Sequence, residues 1–176
     1  MKFMKNLLYI TLLLTILILS SFSEDDKSAS EYKQLQKFEL LALKRQNVGK
    51  IYIYDLTKKE GCNKTTIKYL GIIKTNKGKK YKVLSSFFVL SAASTCHGTS
   101  NIKLYDMENK FVGLYYVGMP NNLPTKITKN KFICWANSDE CKSRKDFEVN
   151  FEKGLPKNFF LPCSKDGGDE CKFNAE

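Results

Sequence analysis

The chain has 176 residues, of which 29 are basic and 18 acidic, giving a net charge of +11. That length suits a single domain and buries enough surface for a hydrophobic core that does not depend on disulfides to form. The basic residues are almost all lysine; only Arg45 and Arg144 carry the planar fork that grips phosphate at two points.

Lys2 and Lys5 precede an apolar run from Leu7 to Leu19, followed by small residues at Ser21 and Ser23 and by acidic Glu24, Asp25 and Asp26. This order predicts a secretory signal peptide over residues 1–23. The run is shorter than the ~20 residues that span a bilayer as a helix, so no membrane span is expected after cleavage. Without Lys2 and Lys5, residues 24–176 keep 27 basic side chains against 18 acidic ones, a net charge of +9. Abundant Lys, Asn and Ile also fit an AT-rich genome, with no function attached to the charge.

Residues 27–46 read as a helix. Ser28 and Glu31 form a capping box, Tyr32, Leu35, Phe38 and Leu41 recur every third position, and Gly49 ends the run. Ile51 to Tyr54 is β-branched and aromatic and reads as a strand, Gly61 to Lys64 as a turn, and Thr65 to Thr75 as a second strand. Asn76-Lys77-Gly78 is a hairpin turn before a strand from Tyr81 to Val89. Ser91 to Ser100 is small, polar and turn-like. Ile102 to Tyr105 and Phe111 to Val117 are strands around a turn at Glu108 to Lys110, and Met119 to Pro124 is a loop. Lys131 to Trp135 is a strand, Phe147 to Phe151 alternates as a half-buried strand does, and Phe159 to Pro162 is the last strand, leaving a polar tail from Ser164. About eight short strands without βαβ spacing predict a mainly β (α+β) fold. The expected form is an antiparallel sandwich or open barrel, with one N-terminal helix packed on the sheet or over its end.

Gly113-Leu114-Tyr115-Tyr116, Leu123-Pro124 and Gly154-Leu155-Pro156 ahead of Phe159 resemble small exported bacterial proteins of unknown role. The resemblance implies export and brings no activity with it.

Cys62, Cys96, Cys134, Cys141, Cys163 and Cys171 are even in number and lie beyond the leader, so an oxidising compartment predicts that all six are bridged. The gaps Cys134 to Cys141 and Cys163 to Cys171 exceed the roughly two to four residues of a zinc knuckle, and no metal or cofactor is expected. Asp166 to Glu170 lacks the alternating acids of a calcium loop. Asn63-Lys64-Thr65 matches a glycosylation acceptor and predicts an exposed turn.

Lys74, Lys77, Lys79, Lys80 and Lys82, flanked by Tyr69 and Tyr81, form the densest basic stretch. Lysines of this kind grip an anionic chain, or guard a sheet edge against pairing. Lys77, Lys79 and Lys80, with Tyr115 and Tyr116 beside the Met119 to Pro124 loop, are the candidate binding residues. The partner class is a protein or an anionic polymer outside the cytoplasm, nucleic acid included. The sequence thus points to an exported, non-catalytic binding domain. A small secreted, ribonuclease-like hydrolase would instead pair His97, the one histidine, with Glu108 or Glu148. A third reading is a structural protein of the cell envelope.

Overall fold

A computed structural model of the chain describes residue 30 and residues 32–57, 61–92, 95–136, 140–141 and 147–175. The leader, Ser28 and Glu31 of the capping box, and Arg144 lie outside the described residues. The chain divides into two units, Met1–Lys37 and Phe38–Glu176. The helix α1 covers residues 32–45. It stops at Gln46, whose φ of 49° leaves the helical region, so termination comes three residues before Gly49. Ala42 and Leu43 are buried, as is Glu39, while Leu40 and Leu41 stay largely exposed. Leu35 of the expected stripe is buried too, whereas Tyr32 and Leu41 are exposed, and the charged Glu39 takes a place on the buried face that an apolar pattern does not assign to it.

Ten strands follow. Seven form one antiparallel sheet in the order β1-β2-β3-β4-β5-β10-β9: β1 (Ile51–Asp55), β2 (Asn63–Lys74), β3 (Lys80–Ala92), β4 (Thr95–Tyr105), β5 (Phe111–Gly118), β9 (Asn158–Pro162) and β10 (Gly168–Ala175). The other three, β6 (Lys126–Thr128), β7 (Phe132–Cys134) and β8 (Glu148–Asn150), form a second sheet. The fold is therefore the mainly β, sandwich-like class that the strand count predicted.

The large sheet has a core on each face. On one face Tyr52, Ile67, Tyr69, Leu84 and Tyr105 pack against Ala42 and Leu43 of α1. On the other, Leu70, Ile73, Val83, Ile102, Leu104 and Val117 meet Ile133 and Val149 of the small sheet, with Tyr115, Phe151, Leu161 and Cys171. Side chains alternate along a strand, so Tyr69 and Ile73 should share a face. They do not, because a β-bulge between Tyr69 and Gly71 inserts one residue and moves β2 from one core to the other. Gly71, at φ 119°, takes the backbone conformation this needs.

Three expectations are corrected. Within the segment Ser91 to Ser100, Ser91 and Ala92 end β3 and Thr95 to Ser100 begin β4, while residues 93 and 94 lie outside the described residues. Gly98 has a packing reason to be small: a Cβ there would come within 2.8 Å of the Phe87 ring. The polar tail is β10, inserted between β5 and β9 with Phe173 opposite Tyr115 and Cys171 opposite Phe159. Asn63 is half-buried at the start of β2, where it donates to Thr57 and accepts from Leu56, so the acceptor tripeptide is not an exposed turn.

Two disulfides brace the fold, Cys62–Cys96 and Cys141–Cys163. With partners 34 and 22 positions apart in sequence, each contributes about 3–4 kcal/mol by loop-closure entropy. Cys134 and Cys171 belong to neither bridge, which corrects the expectation that all six are paired. Cys171 points into the core between the sheets. Cys134 lies on the opposite side of the small sheet, beside the Thr128 hydroxyl, so no bridge can join them. Protein denatured without reductant is expected to present two alkylatable thiols, mapping to Cys134 and Cys171; a mass count of none, or of more than two, contradicts this pairing.

Under α1 lies a buried ion pair. Lys103 Nζ is 2.7 Å from Glu39 Oε1, the two side chains are 4% and 1% exposed, and the Tyr105 hydroxyl donates to Glu39 Oε2 at 2.7 Å. Removing one member leaves the other charged in a dry interior, which costs about 3–5 kcal/mol, whereas replacing both with apolar residues is far milder. Glu39→Ala should thus lower the urea midpoint more than Glu39→Leu combined with Lys103→Met. A double variant as unstable as the sum of the single ones would refute this.

Candidate functional site

The β2–β3 hairpin tip carries the basic stretch. Thr75 donates its amide to Lys79 and Gly78 to Thr75, closing the turn with Gly78 at φ 81°. Lys74, Lys77, Lys79 and Lys80 are exposed there. Lys82 is not: it is 4% exposed and its ammonium donates to Asn109 Oδ1 at 2.6 Å, because β3 turns it toward the β4–β5 turn. Tyr69 is also buried, and burial pushes its phenol pKa up; Tyr81 is half-buried and packs on the inter-sheet core.

Two further segments meet this tip through backbone hydrogen bonds. Lys74 donates its amide to Asn130 O at 2.7 Å, and Asn76 to Glu152 O at 2.7 Å. These bonds bring exposed Lys129 and Lys153 beside Lys74 to Lys80. Among the described residues the carboxylate in this knot is Glu152, and it is occupied. The hydrogen bond from Lys131 holds its pKa below the usual carboxylate range, followed by one from Asn150, with the charges of Lys131 and Lys153 adding to the effect. Sequence spacing does not reveal Lys129 and Lys153 as members of the group, since nothing local ties residues 129 and 153 to residue 77.

The other candidates are dispersed. Tyr115 is fully buried among Phe151, Phe159 and Phe173, and its hydroxyl donates to Pro156 O at 2.7 Å. Burial drives its phenol far above the ordinary tyrosine range. It offers no contact surface, which corrects its place among the binding residues. The cause is strand parity: of two adjacent tyrosines only one can face out, and Tyr116 does, at 52% exposure. The Met119 to Pro124 segment is pinned rather than free. Asn122 donates to Asp169 and accepts from the Trp135 indole, leaving Met119 exposed.

His97 lies near the open start of β4, where its Nε2 meets Thr95 Oγ1 at 2.7 Å. Glu108 follows the opposite end of β4, roughly 25 Å of strand away. Glu148 pairs with Cys134 in the small sheet. No acid–base set is assembled from these three.

A cleft of about 370 Å³ opens on the outer face of the small sheet, lined by Thr125, Lys126, Thr128, Cys134, Trp135 and Phe147, among others. Lys126, Cys134 and Glu148 form a cross-strand row in it. The Cys134 thiol lies 3.3 Å from the Thr128 hydroxyl and 3.8 Å from the Glu148 carboxylate. Among the described residues no group of three side chains could hold a metal ion, and no helix is long and apolar enough to cross a membrane. No protein-family model matches the chain, and no curated protein or solved structure is significantly similar to it.

Proposed function

We propose that this chain is an exported, non-catalytic binding domain that holds an anionic partner against the lysine-bearing end of its sandwich. The observation that carries the reading is the convergence of Lys74, Lys77, Lys79, Lys80, Lys129 and Lys153 from three chain segments, fixed by backbone hydrogen bonds. Clustered positive charge on a rigid scaffold concentrates anionic ligands and speeds their encounter. Export is supported by the leader pattern and by two bridges that persist in oxidising compartments. The hydrolase reading finds little support, because His97 has neither Glu108 nor Glu148 beside it.

Placement, and not net charge, is what this reading requires. Lys77→Glu, Lys79→Glu and Lys80→Glu together should weaken binding of the mature domain to an immobilised anionic polymer by at least about tenfold. A control with Lys44→Glu, Lys157→Glu and Lys165→Glu has the same net charge and should bind nearly as the parent does. Equal losses in the two triple variants would refute a defined site.

A further inference from the structure

We infer that the partner is a linear polyanion, gripped by charge density alone as it runs across the β2–β3 hairpin tip and the loops carrying Lys129 and Lys153; this rests on the binding reading above. Three observations narrow the ligand to that class.

The first is an internal conflict in the hairpin. Lys74 stands directly opposite Lys80 in the β2–β3 register. Like charges at facing positions of an antiparallel pair are destabilising. Lys77 and Lys79 add two more positive charges in the same turn, and Lys129 and Lys153 approach from outside it. Among the described residues none of these six lysines has a carboxylate within ion-pair distance; Glu152 is engaged by Lys131 instead. Glu152 is the carboxylate at this end, and its single negative charge, already engaged by Lys131, stands against seven lysines. Local rules broken without compensation within the chain mark functional sites, and the missing counter-charge is what a bound anion supplies.

The second is the type of cation. Every member is a lysine, a hydrated point charge on a flexible stem that takes phosphate, sulfate or carboxylate without reading its geometry. Arg45, the described arginine, is engaged elsewhere, 5.3 Å above the Tyr52 ring. The third is the lack of a stacking platform. Tyr69 is buried and Tyr81 packs into the core, so the aromatics that flank the basic run in sequence are not available to bases. Single-stranded nucleic acid binders rely on such stacking. A ligand held here is therefore recognised by the spacing of its charges and by its length, and the six lysines, spread over three segments, match an extended chain better than a single small anion.

Long-chain inorganic polyphosphate is the probe, titrated against the mature domain. Binding should strengthen at least about tenfold from a tetramer to a chain long enough to cross all three segments, and orthophosphate should not compete. With about five lysines engaged and a slope near −0.7 per contact, affinity should fall about a hundredfold between ~50 and ~200 mM salt. Lys77→Arg with Lys79→Arg and Lys80→Arg should preserve it, and Lys129→Glu with Lys153→Glu should weaken it though neither residue lies in the hairpin. Anionic phospholipid vesicles that compete as well at equal charge would overturn the inference in favour of a membrane surface. Single-stranded DNA whose binding survives high salt would overturn it in favour of stacking. In both of those cases the anionic-partner reading stands; it fails together with the inference only if polymer, vesicle and DNA all leave the protein unbound.

Discussion

One extra residue in β2 decides the architecture. A strand that stays in register presents the same parity to the same face along its length, and β2 begins by giving Ile67 and Tyr69 to the core beneath α1. After the bulge at Tyr69–Gly71 it gives Ile73, of the same parity, to the core shared with the small sheet. The change of parity in mid-strand puts Tyr69 and Ile73, four residues apart, on opposite faces of one twelve-residue strand. It also brings the far end of β2 against the small sheet, where Lys74 and Asn76 bond to Asn130 and Glu152. The lysine-bearing end is thus a consequence of packing. Apolar burial of Ile73 against the small sheet, the dominant favourable term, carries the loops of Lys129 and Lys153 to the hairpin.

The helix side of the sheet is held differently. Its apolar contacts are fewer, and in their midst lie two opposite charges and a phenol hydroxyl. A buried ion pair adds little net stability, because desolvation offsets the attraction, but it admits few alternative arrangements. Glu39 can satisfy its carboxylate in that interior only where Lys103 and Tyr105 meet it. The pair fixes the axial position of the last turns of α1 on the sheet in a way that Ala42 and Leu43, which tolerate sliding, cannot.

Much of the fold was legible in the sequence wherever local chemistry sufficed. The alternation in Phe147 to Phe151, the β-branched run at Ile51 and the Asn76 to Gly78 turn each specify their own geometry. Non-local causes were not legible. β10 is polar along most of its length and becomes a strand because β5 and β9 leave a gap between them, a partner set more than forty residues upstream on one side. The start of β4 reads as a turn because most of its residues are small, and at Gly98 the small residue is required because Phe87 needs the room. The helical stripe was legible, but a buried Glu39 within it was not, because its partner Lys103 lies on β4. For the site, the hairpin lysines were visible as a run, but strand parity, which buries Tyr115 and exposes Tyr116, and the docking of two distant loops were not. Lys82 belonged to the run by sequence and to the interior by register.

The lysine site depends on the two amide hydrogen bonds that tie the hairpin to the loops of the small sheet, and backbone hydrogen exchange followed by NMR tests them directly. The amides of Lys74 and Asn76 lie at a hairpin end where fraying would otherwise leave them open to water. Protection of both close to that of mid-strand β3 amides such as Leu84 is the expected result. Exchange of both at the rate of the exposed turn would mean that the loops of Lys129 and Lys153 do not rest on the hairpin, and the assembled lysine site would not exist.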